Sequence, residues 1–464
     1  MKTLATDDLI WVAAGYVLLT IAIFAIEVKR TRSCGPDVLT LFMALFVLQC
    51  CLPGIVIFGC LPITGVDQPT GNAVFDRIFA AMDPWSAWLV LGLTAWFAIL
   101  IYIFMALGAA VMRRAQPGLC YGEWIMLRGS PARLLTVQIF GLALTMISFW
   151  RMGDSFVGRY ASLIEFRAGS DQVESNGLAN FAFLLTQTWI WLSVVTLFVL
   201  FERRGRNLAW YFSLICAAIF AVLAVSRRAI FIPLLLAYVT LVLFDGRWRA
   251  KFVLAASVPI LLWIAFGKEA LSAVAFGGSI AEVLGRYQTF TAGALRTASE
   301  IGITAVESLG TISLLHIPPR FGVDHILSVM HGAPIGWFLH WLGQDHAMPT
   351  RVVRLSTQAF STPYDQDIPP GLFGQMWLDF RLAGPILWAF GFAAQLSIVQ
   401  WVFSLAVRTR EAIAAIVLAT FVVALPLNTG SYDFSFGTDI VAIVLCLLFT
   451  FKVVRISFRM EVRT

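Results

Sequence analysis

Long apolar runs bounded by charged residues recur along most of the chain. A helix that crosses a bilayer needs roughly 20 apolar residues at about 1.5 Å each. Runs of that kind fall at about 9–28, 38–61, 86–112, 134–152, 179–201, 208–225, 229–244, 252–275, 381–407, 412–428 and 438–454. The pattern predicts an all-α integral membrane protein with about 11 transmembrane helices. No sequence repeat relates its two halves. One stretch interrupts the series and divides the chain. Residues 1–275 form a membrane domain of about 8 spans with connecting loops at 62–85 and 151–178; residues 276–379 form one large loop; residues 380–464 form a second membrane domain of about 3 spans and a tail.

Basic residues set the orientation. Lys29-Arg30-Thr31-Arg32, Arg113-Arg114, Arg203-Arg204-Gly205-Arg206, Arg247-Trp248-Arg249, Arg408-Thr409-Arg410 and the tail through Arg455 and Arg459 occupy alternate, short connections. Short, densely basic loops stay in the cytoplasm. The N-terminus is then expected outside, the C-terminus inside, and the loops 62–85, 151–178 and 276–379 outside. Trp85, Trp88, Trp150, Trp210, Trp377 and Trp388 fall near span ends, where indole rings settle at the interface.

Composition agrees with this class. The chain is 59% hydrophobic and 13% charged, with 38 Phe and 16 Trp, whereas a soluble domain is nearer a quarter charged. Of 33 basic residues 28 are Arg, within a net charge of +6. Arg binds planar oxyanions bidentately and keeps its charge, which suits phosphate; a high-GC coding sequence gives the same bias. Cys34, Cys50, Cys51, Cys60, Cys120, Cys216 and Cys446 offer neither a disulfide framework in the outer loops nor a CxxC zinc spacing. One Lys, then Asp7 and Asp8 and a full-length apolar run, predict an N-terminus without a cleaved signal peptide.

Arginines on the outer side run against the positive-inside bias. Ser226-Arg227-Arg228 joins two short spans of about 18 and 16 residues, so its turn sits slightly below the surface. Charge placed toward a bilayer costs a few kcal/mol unless a cavity or partner receives it, and two adjacent cations favour an anion; snorkelling to lipid phosphates is the alternative. Arg151, Arg159 and Arg167 share the 151–178 loop with Asp154, Glu165, Asp171 and Glu174, a mixture typical of a solvated face, from which Arg167 stands out.

In the large loop, Ile280, Val283, Leu284, Tyr287, Phe290, Leu295 and Ala298 recur at helical spacing and predict helix over 280–310, with Arg286 and Arg296 on it. The run Gly336-Trp337-Phe338-Leu339-His340-Trp341-Leu342 is apolar but too short to span, and reads as an interfacial helix. All five histidines lie in this loop: His316, His325, His331, His340 and His346. They contain no HxH, HxxH, HxxxH or HExxH spacing, so no metal site is expected. His346 follows Asp345 and precedes Arg351 and Arg354, which makes it the candidate general base. Asp365-Gln366-Asp367 is a DxD pair, a spacing that holds divalent ions in sugar-transfer enzymes and equally a polar turn before Pro369-Pro370-Gly371.

From Pro369 to Gly391 the chain reads Pro-Pro-Gly-Leu-Phe-Gly-Gln-Met-Trp-Leu-Asp-Phe-Arg-Leu-Ala-Gly-Pro-Ile-Leu-Trp-Ala-Phe-Gly. This resembles the segment of form PGxxGExYxNFGxxG that leads out of the large outer loop in Wzy-type O-antigen (oligosaccharide repeat unit) polymerases. The Ser-Arg-Arg-Ala turn at 226–229 is similar to the SRG-like turn of that family and of O-antigen ligases, and the whole-chain plan agrees with theirs. The chain departs from the pattern in Gln375, where the family has an acid, and in Asp379-Phe380-Arg381, where it has NFG. A further family spacing, an Arg and a Gly with ten residues between, is met only by Arg167 and Gly177, one residue short.

The resemblance implies a metal-independent, cofactor-free glycosyltransferase in the bacterial inner membrane with its active site facing the periplasm. It would join undecaprenyl-pyrophosphate-linked repeat units into a growing glycan. Membrane lipids, a chain-length regulator and a flippase are its implied partners, and no nucleic acid is. Arg227 and Arg228, with Arg286 or Arg167, would hold the pyrophosphate; His346 or Asp367 would deprotonate the acceptor hydroxyl. Arg351, Arg354, Gln375 and Trp341, beside Trp337 and Tyr364, would line the glycan path. A ligase moving glycan onto lipid A core would use the same arginines. A lipid-linked sugar flippase or transporter is the remaining expectation, against which stand the unrelated halves and the gathering of charge at one face.

Overall fold

The computed structural model describes residues 6–34, 37–64, 73–115, 121–129, 131–151, 207–223, 290–314, 318–322, 371–409 and 451–459, with the helical positions Trp189, Leu192, Ser193, Thr196, Leu197 and Leu200. These are almost entirely helical. Five helical segments are long and apolar enough to cross a membrane: Asp7–Arg32, Val38–Ile63, Pro84–Ala110, Ala132–Trp150 and Leu372–Gln400. They coincide with the spans expected at 9–28, 38–61, 86–112, 134–152 and 381–407. The expected spans 229–244, 252–275 and 412–428 lie outside the described residues.

Helix α1 (Thr6–Cys34) carries Asp7 and Asp8 in its first turn and Arg32 in its last, charges that complement the helix dipole. Helix α2 (Val38–Phe46) starts at Asp37, whose side chain accepts from Thr40 N while the Thr40 hydroxyl takes the Asp37 N–H. It continues through a π-turn (Val47–Cys51) into α3 (Leu52–Thr64). Pro53 offers no N–H to the Gln49 carbonyl one turn back, and the wider turn falls where that bond is missing. A short helix α4 (Ala73–Ala81) precedes α5 (Pro84–Ala115), whose 32 residues make it about 48 Å long.

The one non-helical element among the described residues is an antiparallel ribbon. Strand β1 (Tyr121–Gly129) pairs with β2 (Phe451–Arg459), from Tyr121 opposite Arg459 to Gly129 opposite Phe451. Both strands come from segments that the basic-residue pattern assigns to one side, but 451–454 were expected to end the last span and belong to β2 instead. After β1 along the chain come α6 (Pro131–Trp150) and α7 (Leu208–Leu223), the latter within the span expected at 208–225. Buried Gln138 ties them, donating to Ser193 Oγ at 2.9 Å and accepting from Ser213 Oγ at 2.8 Å.

Residues 290–314 are helical, as the periodicity over 280–310 predicts, but in two pieces. Helix α8 (Phe290–Ile301) ends and α9 (Ile303–Leu314) begins at Gly302, which is pressed against Pro53. Helix α8 lies along α3, and α9 lies against α4, α5 and α10 (Leu372–Phe380). After α10 a tight turn (Arg381–Ala383) leads into α11 (Gly384–Thr409).

The fifth apolar segment is therefore folded back on itself. In a continuous helix Phe373 and Phe392 would stand about 28 Å apart. Both instead touch Phe97, with ring centroids at 6.4 and 5.6 Å, about 20 Å along α5 from its Pro84 end. Phe46 joins them, 6.4 Å from Phe373 and 5.9 Å from Phe97. Lipid tails are as apolar as phenylalanine, so this cluster stabilises the bundle by close contact more than by escape from water. Helices α9 and α10 both begin at this depth and run toward the Pro84 end of α5, where Ser313 donates to Ser86 Oγ at 2.9 Å. Part of the stretch 276–379, read from the sequence as an external loop, thus packs among the long apolar helices.

Gly371, with φ +68, leads α10, and a Cβ there would meet Ser308 Oγ at 2.6 Å and Ser308 N at 2.7 Å. Gly391 faces open space. Gly371→Ala is expected to lower the thermal midpoint of the detergent-solubilised protein by an amount worth about 1–3 kcal/mol, and Gly391→Ala, at an open position inside α11, to hold it or raise it slightly, in a fluorescence-detected size-exclusion melt.

Candidate functional site

The seam between α9 and α10 collects polar side chains inside the bundle. Thr304, Glu307, Ser308 and Thr311 follow one another at helical spacing on α9, and all are at most 6% exposed. Ser308 Oγ donates to Thr304 O at 2.6 Å and accepts the Phe373 N–H at 3.1 Å, so it replaces one of the helical bonds that the first turn of α10 lacks. Gly374 comes next to Thr311, where a Cβ would stand 2.9 Å from Thr311 Cβ. The hydroxyls of Ser299 and Thr311 have no hydrogen-bond partner among the described residues.

On α10, Gln375 and Asp379 lie one turn apart on the same face. Gln375 Nε2 donates to Asp379 Oδ1 at 2.9 Å, and the two residues are 5% and 0% exposed. A carboxylate out of water is strongly disfavoured without hydrogen bonds, and the amide supplies one. Gln375 is the one candidate site residue from the sequence that the structure describes, and it addresses Asp379 rather than solvent. His346, Asp367, Arg227, Arg228, Arg167, Arg286, Arg351, Arg354 and Trp341 lie outside the described residues.

At the Pro84 end of the bundle the seam ends at a surface rim, the mouth, built on strained backbone. Among the described residues the non-glycine positions with positive φ are Phe321 and Arg381, both at +53°. Each costs of order 1–3 kcal/mol and persists only where the surroundings enforce it. Here the segment 318–322 is strapped along the end of α10: Arg320 N donates to Leu378 O and Phe321 N to Asp379 O, each at 2.9 Å. Arg381 N closes on Trp377 O, and Gly384 packs against the Met376 carbonyl. The guanidinium of Arg381 lies 4.9 Å from the centre of the Trp377 ring, and Trp377 meets Trp85 edge-on at 5.8 Å.

At the opposite end, Arg30 grips two carboxylates. It bonds both oxygens of Glu27 at 3.1 and 2.7 Å and both of Asp37 at 2.6 and 2.7 Å, and touches the Thr40 hydroxyl. Tyr102 OH donates to Glu27 at 2.9 Å, and Gln400 accepts the Val38 N–H at 2.9 Å. This cluster joins α1, α2, α5 and α11 and engages Arg30 on both sides with carboxylates, so it is a staple between helices.

Sequence reasoning passed over Glu307 and Asp379. The available signal for Glu307 was an acid within an apolar helical run, which in a membrane protein points to a functional interior. For Asp379 it was its spacing of four from Gln375. No protein-family model matches the chain, and neither a curated protein nor a solved structure is similar to it.

Ser308→Ala would leave the Phe373 N–H buried and unbonded. It is expected to lower stability by about 1–3 kcal/mol, with Ser308→Thr recovering part of the loss, in the same melting assay.

Proposed function

We propose that this chain is a membrane glycosyltransferase that polymerises undecaprenyl-pyrophosphate-linked oligosaccharide repeat units at the periplasmic face of the inner membrane. The observation that carries the reading is the Gln375–Asp379 pair. Set against the pattern PGxxGExYxNFGxxG, Gln375 occupies the position of the acid and Asp379 that of the amide. The two departures compensate: one carboxylate and one amide face each other across one helical turn, with their places exchanged. The remaining glycines of the pattern also have physical work here, since Gly371, Gly374 and Gly384 each meet a neighbour too closely for a Cβ. These contacts support reading 371–391 as one packed unit.

In the proposed reaction an acceptor sugar hydroxyl attacks the anomeric carbon of the donor glycan. The new glycosidic bond forms as the bond from that carbon to undecaprenyl pyrophosphate breaks, the electron pair leaves on the pyrophosphate, and the hydroxyl proton passes to a base. Arg227 and Arg228, with Arg286 or Arg167, stabilise the leaving charge, as positioned cations do in a partly dry cavity. His346 or Asp367 takes the proton. Asp379 stays buried and organises the mouth, because its backbone carbonyl holds Phe321 and its side chain holds Gln375.

A transporter of lipid-linked sugar is the second reading, favoured by the elbow at Gly302 and the half-helix that starts at Gly371 inside the bundle. A deletion strain separates the readings. Lipopolysaccharide bearing a single repeat unit supports the polymerase; polymer accumulating on the lipid carrier with none attached indicates a ligase; repeat units trapped on the cytoplasmic side indicate transport. The exchange is tested directly. Gln375→Glu sets two buried carboxylates one turn apart and is expected to remove the polymer ladder, and adding Asp379→Asn is expected to restore it. A double variant as defective as Gln375→Glu alone, at equal membrane levels, removes the pair from the argument.

A further inference from the structure

We propose that the mouth at the Pro84 end of the bundle is a glycan-binding rim, in which the exposed Trp85 and Phe321 offer ring faces to sugars and Arg381, backed by Trp377, bonds their hydroxyls. The proposal rests on the polymerase reading and names the part of the substrate that this surface takes.

Arg381 is the starting point. Its φ of +53° and ψ of −129° belong to a region that glycine enters freely and other residues resist. The pattern that 370–384 resembles has glycine at this position. The fold would therefore be served better by glycine, and what the chain keeps is the arginine side chain. That side chain stacks on Trp377 at 4.9 Å. Phe321 repeats the case: its φ is +53°, the residue is 69% exposed, and its ring meets that of Phe380 edge-to-face at 6.3 Å. Trp85 adds a second exposed ring, 56% exposed and 5.8 Å from Trp377.

Anchoring at the bilayer interface accounts for Trp85 and Trp377. It does not account for an arginine and an exposed phenylalanine each held in a conformation unfavourable to it. Both strained residues are tied to α10 by main-chain hydrogen bonds, so their side chains are presented on a rigid base, as a binding surface requires. Exposed aromatic faces with a stacked guanidinium suit pyranose rings, whose apolar C–H faces lie flat on aromatics while their hydroxyls take charged hydrogen bonds. Undecaprenyl carrier phosphates and lipid headgroups offer the guanidinium an anion but give the rings nothing to stack on.

The test uses the full-length protein in nanodiscs of phosphatidylethanolamine and phosphatidylglycerol. Two probes are titrated: undecaprenyl pyrophosphate carrying the host's repeat unit, and undecaprenyl pyrophosphate without sugar. Arg381→Gly and Phe321→Gly relieve the backbone strain, so the thermal midpoint should hold or rise. Affinity for the sugar-bearing probe should fall about tenfold or more, with affinity for the bare carrier unchanged. Equal loss for both probes would make the rim an anion site, and no loss for either would make it an interfacial anchor; both results overturn the proposal. If the glycine variants melt lower than the parent, Trp85→Leu decides by the same split without touching the strained turn. A deletion strain with an intact polymer ladder would sink the polymerase reading while leaving a positive split in place, and lost polymer without a split would do the reverse.

Discussion

Every N–H and C=O that enters an apolar slab must find its partner within the protein, and this constraint shapes the part of the chain that matters most here. Helix continuity fails at Gly302 and at Gly371, both of which lie deep among the long helices. At Gly302 the break is closed locally: its N–H goes to Ala298 O, and its carbonyl takes the N–H groups of Ala305 and Val306. At Gly371 the carbonyl takes Gln375 N, and Ser308 takes Phe373 N. The Ser308 hydroxyl thus stabilises the start of α10, on which the mouth is based.

The consequence is a small rigid module inside a larger frame. Helices α9 and α10 rise side by side from the aromatic cluster of Phe46, Phe97, Phe373 and Phe392 toward the Pro84 end, and α11 turns back along α5. Glycines permit the close approach, and buried hydroxyls supply the missing hydrogen bonds. The strap at 318–322 then binds α10 from above, which makes the mouth a fixed platform. At the other end the Arg30 cluster clamps four helices, so the frame is held at both ends.

Substitutions read singly can mislead where the physical unit is a pair. Gln375 alone looks like a lost carboxylate. Beside Asp379 it is the donor half of a hydrogen bond whose acceptor has moved one turn along the helix. Arg381 shows the opposite logic. It replaces no partner and is held in a backbone conformation that suits glycine, which directs attention to its side chain and to the Trp377 ring beneath it.

Five of the expected spans were legible because the bilayer imposes one dominant requirement, length of apolar helix, and apolar runs such as 84–110 and 132–150 state it in one dimension. Helix over 290–314 was legible from its periodicity for the same reason. The fold of 290–314 and 371–380 into the bundle was not, because periodicity reports which face of a helix is apolar and not whether lipid, protein or solvent covers it. Nor was the ribbon, whose strands are more than 320 residues apart along the chain. The short apolar segment 372–380 merges with the span that follows it, and only the reversal at Arg381–Ala383 separates them. The Gln375–Asp379 bond and the strained mouth depend on rotamers and on contacts between segments distant in the chain, such as Phe321 with Asp379. Sequence determines which groups are available for such contacts; tertiary packing decides which of them meet, because only packing excludes water and lipid and makes an unmet hydrogen bond expensive.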